Sequence, residues 1–365
     1  MQHSPSDPRR RRLVILAAIA AVLVVFAALA LWQQSEQLAP KYQPTTMFPD
    51  LPHQASSVAK IHIAAKKGSF DVVNKPNKGW VIASRNDFPA SFEQVNRTVV
   101  GIAGLQLLEP RTARADWLHF LNLDAPPKGE GVLISLFDAK GQNLAAIIAG
   151  SSEDIGDRSG ASGLFVRKPD STQSWLAKGT LEPKAEVTDW YEKNLLSVER
   201  ARIAQTDVTP SDGPAYSVKR DTAKDPSFKL VNLPAGRELA YPGAPDNVGA
   251  GIVGLTFDDV KPAKGMDFSK SGRIVTRTFD GLIVTLQVME QGKDYWATVS
   301  AQAAPGKAAA AREAQAINGR ASGWAYKLPP FRAQQLMAKQ ESLLKPLHSE
   351  NTPAAAAPSE DKSEE

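Results

Sequence analysis

The 365-residue chain has no cysteine. That excludes thiol nucleophiles, Cys-ligated zinc, disulfides and the lipidated cysteine of a bacterial lipoprotein. Histidine is scarce, with only His3, His53, His62, His119 and His348. They are scattered, and none stands in the H-x-x-H or H-E-x-x-H spacing by which ligands converge on a metal. The Gly-x-Ser-x-Gly elbow of serine hydrolases is absent, and Ser159-Gly160-Ala161-Ser162-Gly163 does not supply it. A broad basic stripe is also missing. Net charge is +4, much of the excess sits in Arg9-Arg10-Arg11-Arg12, and the far C-terminus is acidic. No nucleic-acid partner is expected from such a balance.

What the chain does have is one long apolar run, LVILAAIAAVLVVFAALALW at 13–32. As a helix it would span about 30 Å, the thickness of a bilayer's hydrocarbon core. Trp32 closes it where an aromatic suits the headgroups, and the basic cluster before it puts residues 1–12 in the cytoplasm. A cleavable signal peptide shares the basic start, and Ala28-Leu29-Ala30 resembles a cleavage site. Apolar regions of signal peptides run to about 7–15 residues, however, and this one is longer. The expectation is a single-pass bacterial inner-membrane protein whose bulk is periplasmic. Residues 33–56 then read as a proline-containing tether, and 349–365 as a disordered acidic tail.

Between them the same order of elements occurs twice, about 150 residues apart. The first unit, 57–198, opens with the alternating strand VAKIHIA at 58–64, then GSFDVVNKP and GWVIAS. A helical segment at 91–110, a hairpin at 131–150 and the strand GLFVRK at 163–168 follow. The second unit, 199–348, repeats this with ARIAQTDV at 201–208, a helical segment at 244–262, a hairpin at 273–290 and DYWATVSA at 294–301. Each closes on a helical segment, 174–198 or 323–347, with Trp175 matching Trp324. The predicted fold class is α+β: a transmembrane helix, then two tandem strand-rich repeats of antiparallel sheet with packing helices.

GAGIVG at 249–254 fits the dinucleotide fingerprint G-x-G-x-x-G. The context does not fit it. Prolines precede it where a buried parallel strand is required, and the position about 20 residues on falls in a loop. Aligned with Val99-Val100-Gly101-Ile102-Ala103-Gly104, it reduces to a shared Gly-x-x-Gly on a packing helix, with Gly249 as an accidental extra. No cofactor, metal or catalytic residue is therefore assigned. Glu153, Asp154 and Asp157 form an acidic loop that lacks the EF-hand spacing and reads as a solvated connection. Asn96-Arg97-Thr98 matches the glycosylation acceptor by a pattern common in any chain. Trp80, Trp117, Trp175, Trp190, Trp296 and Trp324 recur at matching places and read as core residues of each unit.

Several of these stretches carry a resemblance. GWVI at 79–82, Phe88-Pro89-Ala90, LNLDAPP at 121–127, the LFDAKGQNLAAIIAG hairpin and TDWYEKNLLSV at 188–198 together look like the bacterial domain-of-unknown-function family numbered 4340. Asn122 stands where that family usually has glycine. The resemblance covers most of 57–200 and recurs more faintly to 347. It implies a single-anchor envelope protein associated with the ATPase and permease of a gliding-type ABC exporter, and transfers no catalytic residues. The expected function is thus a membrane-anchored, non-enzymatic accessory subunit of an ABC-type envelope transport system. The expected partners are the inner membrane through 13–32 and the permease and ATPase subunits. The second reading is a periplasmic module binding glycan or peptidoglycan. The third is an envelope hydrolase.

Overall fold

A computed structural model describes residues 43–155 and 162–346. In chain order the first ten strands are β1 (Thr45–Thr46), β2 (Val58–Ala65), β3 (Gly68–Lys75), β4 (Gly79–Ile82), β5 (Phe88–Pro89), β6 (Gln106–Pro110), β7 (Val132–Asp138), β8 (Asn143–Asp154), β9 (Ser162–Arg167) and β10 (Ser174–Lys178). They form one antiparallel sheet ordered β1-β6-β10-β9-β8-β7-β2-β3-β4-β5. The next ten are β11 (Asn194–Leu196), β12 (Ile203–Thr209), β13 (Tyr216–Lys219), β14 (Lys229–Leu230), β15 (Leu255–Thr256), β16 (Asp259–Pro262), β17 (Gly272–Thr278), β18 (Leu282–Gln291), β19 (Asp294–Ala303) and β20 (Trp324–Leu328). β11 and β15 pair with each other, and the remaining eight form a second sheet, β14-β13-β12-β17-β18-β19-β20-β16. The helices are α1 (Leu51–Gln54), α2 (Phe92–Ala103), α3 (Ala244–Gly249), α4 (Ala308–Ala321) and α5 (Pro330–Leu336).

The two sheets follow one strand order. Reading β6-β10-β9-β8-β7-β2-β3-β4 against β16-β20-β19-β18-β17-β12-β13-β14 matches every strand with its counterpart in chain sequence. Local irregularities match too. The β2–β7 ladder shifts register after Val58, and the β12–β17 ladder shifts after Ile203. In each central hairpin the last residue of the first strand holds the turn. Asp138 Oδ1 accepts from the N–H groups of Lys140 and Gln142, both at 2.8 Å, and Thr278 Oγ1 accepts from Leu282 N at 2.8 Å.

The α+β expectation is corrected: the protein is mostly β, with 39% strand against 23% helix. Of the expected helical segments, 91–110 is shortened at its end, and 244–262 and 174–198 are largely strand or turn. α2 stops at Ala103, because Gly104 ends it, and Gln106–Pro110 joins the sheet as β6 between β1 and β10. In the second half α3 has only six residues, and a turn, β15 and β16 follow it within 244–262. Residues 174–178 alternate as a strand and pair on both sides, with β9 and with β6, and the only helical turn left in 174–198 is a short 3-10 turn at Val187–Trp190. Backbone pairing in a sheet wins over helix wherever both neighbours are in place to accept it. Conversely, α4 is a fourteen-residue helix that the duplicated order does not contain, inserted between β19 and β20. It lies beside a stretch of β19 that β20 leaves unpaired, since β20 reaches only Tyr295–Ala297. The Asn318 amide fills that edge, donating to Ala301 O and accepting from Ala301 N, both at 2.8 Å.

Part of the expected tether is folded. Met47 and Leu51 are buried, and Met47 N donates to Leu105 O at 3.0 Å. The apolar run 13–32 lies outside the described residues, as do 1–12 and 349–365. Among the described residues no helix is long and apolar enough to cross a membrane. The described residues therefore give no support to the expected single-pass transmembrane anchor or to an inner-membrane location.

One apolar core runs through both sheets. Its junction is an aromatic seam. The Phe88 ring meets Tyr191, Phe257 and Trp324 edge-on at 5.3, 5.8 and 5.1 Å, and Tyr326 at 6.3 Å. The Tyr191 hydroxyl donates to Asp259 Oδ1 at 2.9 Å. Burial, then the nearby Asp259 carboxylate, push this phenol far above its usual range, so it stays a neutral donor. Phe88→Ala is expected to cost roughly 3–5 kcal/mol, as for other buried large-to-small changes. Urea unfolding should show one transition at lower midpoint by both tryptophan fluorescence and far-UV circular dichroism. A loss under about 1 kcal/mol would show that the seam is dispensable.

Candidate functional site

The glycine stretch is an architectural feature. Gly249 ends α3, and a Cβ there would lie 2.4 Å from the Phe228 ring. Its carbonyl accepts from the buried Thr206 hydroxyl at 3.1 Å. Gly251 sits under Leu336, 2.8 Å from where its Cβ would be, and Gly254 adopts φ +55° in the turn before β15. In the first unit Gly101 presses on Leu181, with 3.0 Å to its Cα, and Gly104 caps α2. Gly249 is thus no accident. Of the three it meets the most rigid neighbour, a ring that cannot withdraw as a leucine methyl can. The expected shared packing helix is corrected as well, because Gly251 and Gly254 lie beyond the end of α3.

The sheet brings three chemistry-bearing residues into one row. His62 on β2 lies opposite Asp71 on β3 and opposite Ser135 on β7. All three occupy the face away from Ile61 and Ile63, and His62 Nδ1 and Asp71 Oδ1 stand 2.6 Å apart. The order Asp–His–Ser is that of a hydrolase triad, yet the arrangement lacks its working parts. Among the described residues no hydrogen bond joins Ser135 to His62, and a nucleophile must bond its base at about 2.6–3.2 Å. The three strands are interior to the sheet, so neighbouring N–H groups are committed to ladders and are not aimed at an oxyanion.

Other sequence candidates are dispersed. His53 lies in α1 and His119 stacks on Phe120 at 3.9 Å, while His3 and His348 lie outside the described residues. Glu153 pairs with Arg111 at 2.9 Å, and Asp157 is not among the described residues. Among those described, no group of three or more His, Asp or Glu could hold a metal ion. Asn96 stands on α2, but Thr98 is buried and receives a hydrogen bond from the Gln94 amide at 3.2 Å. Five of the tryptophans serve the core: Trp190 is fully buried, Trp296 is buried, and Trp80, Trp175 and Trp324 pack against it. Trp117 does not, being 48% exposed on the turn Ala115–Leu121 with Phe120, 71% exposed.

Among the described residues, three surface clefts stand out for their lining. One, of about 200 Å³, carries Lys67, Arg85 and Glu186, with Lys67 and Glu186 joined at 2.8 Å. A second, of about 260 Å³, carries Asp207 beside Tyr216, Ser217 and Asn232. The third, of about 270 Å³, lies between the turn holding Tyr241 and helix α5. Its lining includes the exposed rings of Tyr241 and Phe331 and the side-chain amides of Asn247, Gln334 and Gln335, with no charged residue. No sequence motif marks this cleft. The one available signal was Phe331 directly after Pro329-Pro330, an apolar ring at a rigid corner with no periodic partner.

Partial burial pushes the Asp207 carboxyl up, but hydrogen bonds from Ser217, Gln205 and Arg277 outweigh it and hold the group below the usual carboxylate range. Its stabilising effect is present above the unfolded value of about 4 and lost as pH falls through the lower folded value. Asp207→Asn should therefore destabilise most above the ordinary carboxylate range, with the difference shrinking as pH falls below it. Urea melts across that range would test it, and a difference independent of pH would overturn it. Gly249→Ala should cost roughly 1–3 kcal/mol by overpacking against Phe228. A thermal melt matching wild type would contradict the close approach.

Comparison with known proteins gives one match. No curated protein and no solved structure matches the chain. A family model described as a domain of unknown function matches residues 80–245. That span starts in β4, crosses the aromatic seam and ends at the opening of α3. Residues 80–245 of this chain match the model of the family of domains of unknown function 4340 (DUF4340), the family that the sequence resembles.

Proposed function

We propose that this protein is a non-enzymatic accessory subunit of an ABC-type transport system, acting by binding rather than by chemistry. The observation that carries this reading is the pair of outward aromatic rings, Trp117 and Phe120, on an ordered turn. Leu118 of the same turn is buried in a small core with Leu123, Ile148, Phe165 and Leu176, so the support is fixed. The Arg114 guanidinium lies 4.6 Å over the Trp117 ring and steadies it. Large apolar rings held in water on a rigid support mark interaction surfaces. The choice of partner rests on the family resemblance, whose members accompany an ATPase and a permease.

Affinity purification of the tagged full-length chain from its native cells, followed by mass spectrometry, tests the proposal. The ABC ATPase and permease should be recovered with wild type. The double variant Trp117→Ser, Phe120→Ser should lose roughly tenfold of that recovery, about 1.4 kcal/mol, with its circular dichroism unchanged. Recovery of the chain alone, or equal recovery with the double variant, counts against it.

A further inference from the structure

We infer that the cleft between Tyr241 and α5 binds a neutral saccharide. Its volume, about 270 Å³, lies just under the roughly 300–1,000 Å³ of common ligand sites. That suits one or two sugar rings and is small for a dinucleotide. Two rings stand at its sides: Phe331 is 74% exposed and Tyr241 51%. Both are held on rigid supports. Phe331 follows Pro330 at the start of α5, which Ala333 and Leu336 anchor in the core, and Tyr241 precedes α3. A pyranose has apolar C–H faces and a rim of hydroxyls. Aromatic faces cover the first, and side-chain amides serve the second because each both donates and accepts.

The cleft's hydrogen-bonding capacity is partly set and partly open. Asn247 Nδ2 donates to the Tyr241 hydroxyl at 3.0 Å, which leaves the phenolic proton to donate and Asn247 Oδ1 to accept. Gln335 is committed: it donates to Asn247 O at 2.6 Å and accepts from Arg332 at 2.9 Å. Gln334 lines the cleft with no hydrogen-bond partner among the described residues. The absence of charge in the lining decides the ligand class. An acidic or basic ligand would find no counter-ion here, whereas the other two clefts carry Lys67, Arg85 and Glu186, or Asp207. The cleft is a different surface from the Trp117 turn, and sugar binding by the isolated chain stands or falls apart from the transport proposal.

The test is titration of the full-length chain with cellobiose, N,N′-diacetylchitobiose and maltotriose, followed by calorimetry and saturation-transfer NMR. A charged digalacturonate and a neutral alanine tetrapeptide are run beside them. At least one neutral saccharide should bind with a Kd of about 1 mM or tighter, and Phe331→Ala and Tyr241→Ala should each weaken it roughly tenfold. Gln334→Ala should weaken it by about threefold, and Arg85→Ala in the charged cleft should leave it unchanged. Both aromatic residues are exposed, so the thermal melts of those variants should match wild type. Binding of none of the three sugars at about 10 mM overturns the inference. So does binding that survives both aromatic substitutions, or a preference for the digalacturonate or the peptide.

Discussion

Everything else in the protein is built around the aromatic seam between the two sheets. Phe88 leaves the edge of the first sheet and enters a ring cluster supplied mainly by the second: Phe257, Trp324 and Tyr326. Tyr191 comes from the segment joining the halves. It packs on Phe88 and Phe257 and anchors its hydroxyl on Asp259. The hydroxyl is the demanding element, since a buried phenol left without an acceptor forfeits about 1–3 kcal/mol of what its ring gains by burial. Around it the backbone also pairs across the junction, β11 with β15 and Ala90 with Tyr191. Edge-to-face packing is directional, so the seam fixes how the sheets meet and leaves one continuous core.

The two sheets share a strand order, and they differ in the segments that leave the matched strands. After β10 the chain runs through Trp190 and Tyr191 and makes the seam. After β20, the counterpart of β10, it turns at Pro329-Pro330 into α5 and makes the uncharged cleft. One position in the duplicated order thus supplies the joint in one half and the cleft in the other. α4 has no counterpart, and it is tied down at both levels available to a helix on a sheet. Asn318 completes the β19 edge, and Glu313 pairs in bidentate fashion with Arg202, which also reaches Asp280 at the hairpin turn.

The charged groups largely serve the architecture. Arg167 donates to four main-chain carbonyls, those of Leu123, Lys168, Pro169 and Ser171. Arg220 reaches five, and also lies over the Phe228 ring at 4.9 Å. Arg332 caps the turn after α3 through the carbonyls of Gly251 and Val253. Guanidinium suits this task, because its planar fork satisfies several orphan carbonyls at once and loses little hydration in doing so. The Asp71–His62–Ser135 row is architectural in the same sense. Cross-strand register alone brings the residues together, and without a hydroxyl-to-imidazole bond it remains a half-exposed histidine–carboxylate contact.

Local alternation was enough to place most strands from sequence. Ile61 and Ile63 alternate with Lys60 and His62, and only one side of such a strand can face a core. The duplicated order and the family resemblance were legible for the same reason, since both reside in short patterned segments. What sequence alone could not decide was every choice made by a distant partner. SWLAK became a strand because β9 and β6 flank it, and Ala308–Ala321 became a helix on an unpaired edge. Gly249 proved necessary because Phe228 arrives from another part of the chain, and His62 met Ser135 through register. The cleft of Tyr241 and Phe331 joins residues about 90 positions apart. Periodicity reports which face of an element is apolar, and only the tertiary structure says what covers it or leaves it open.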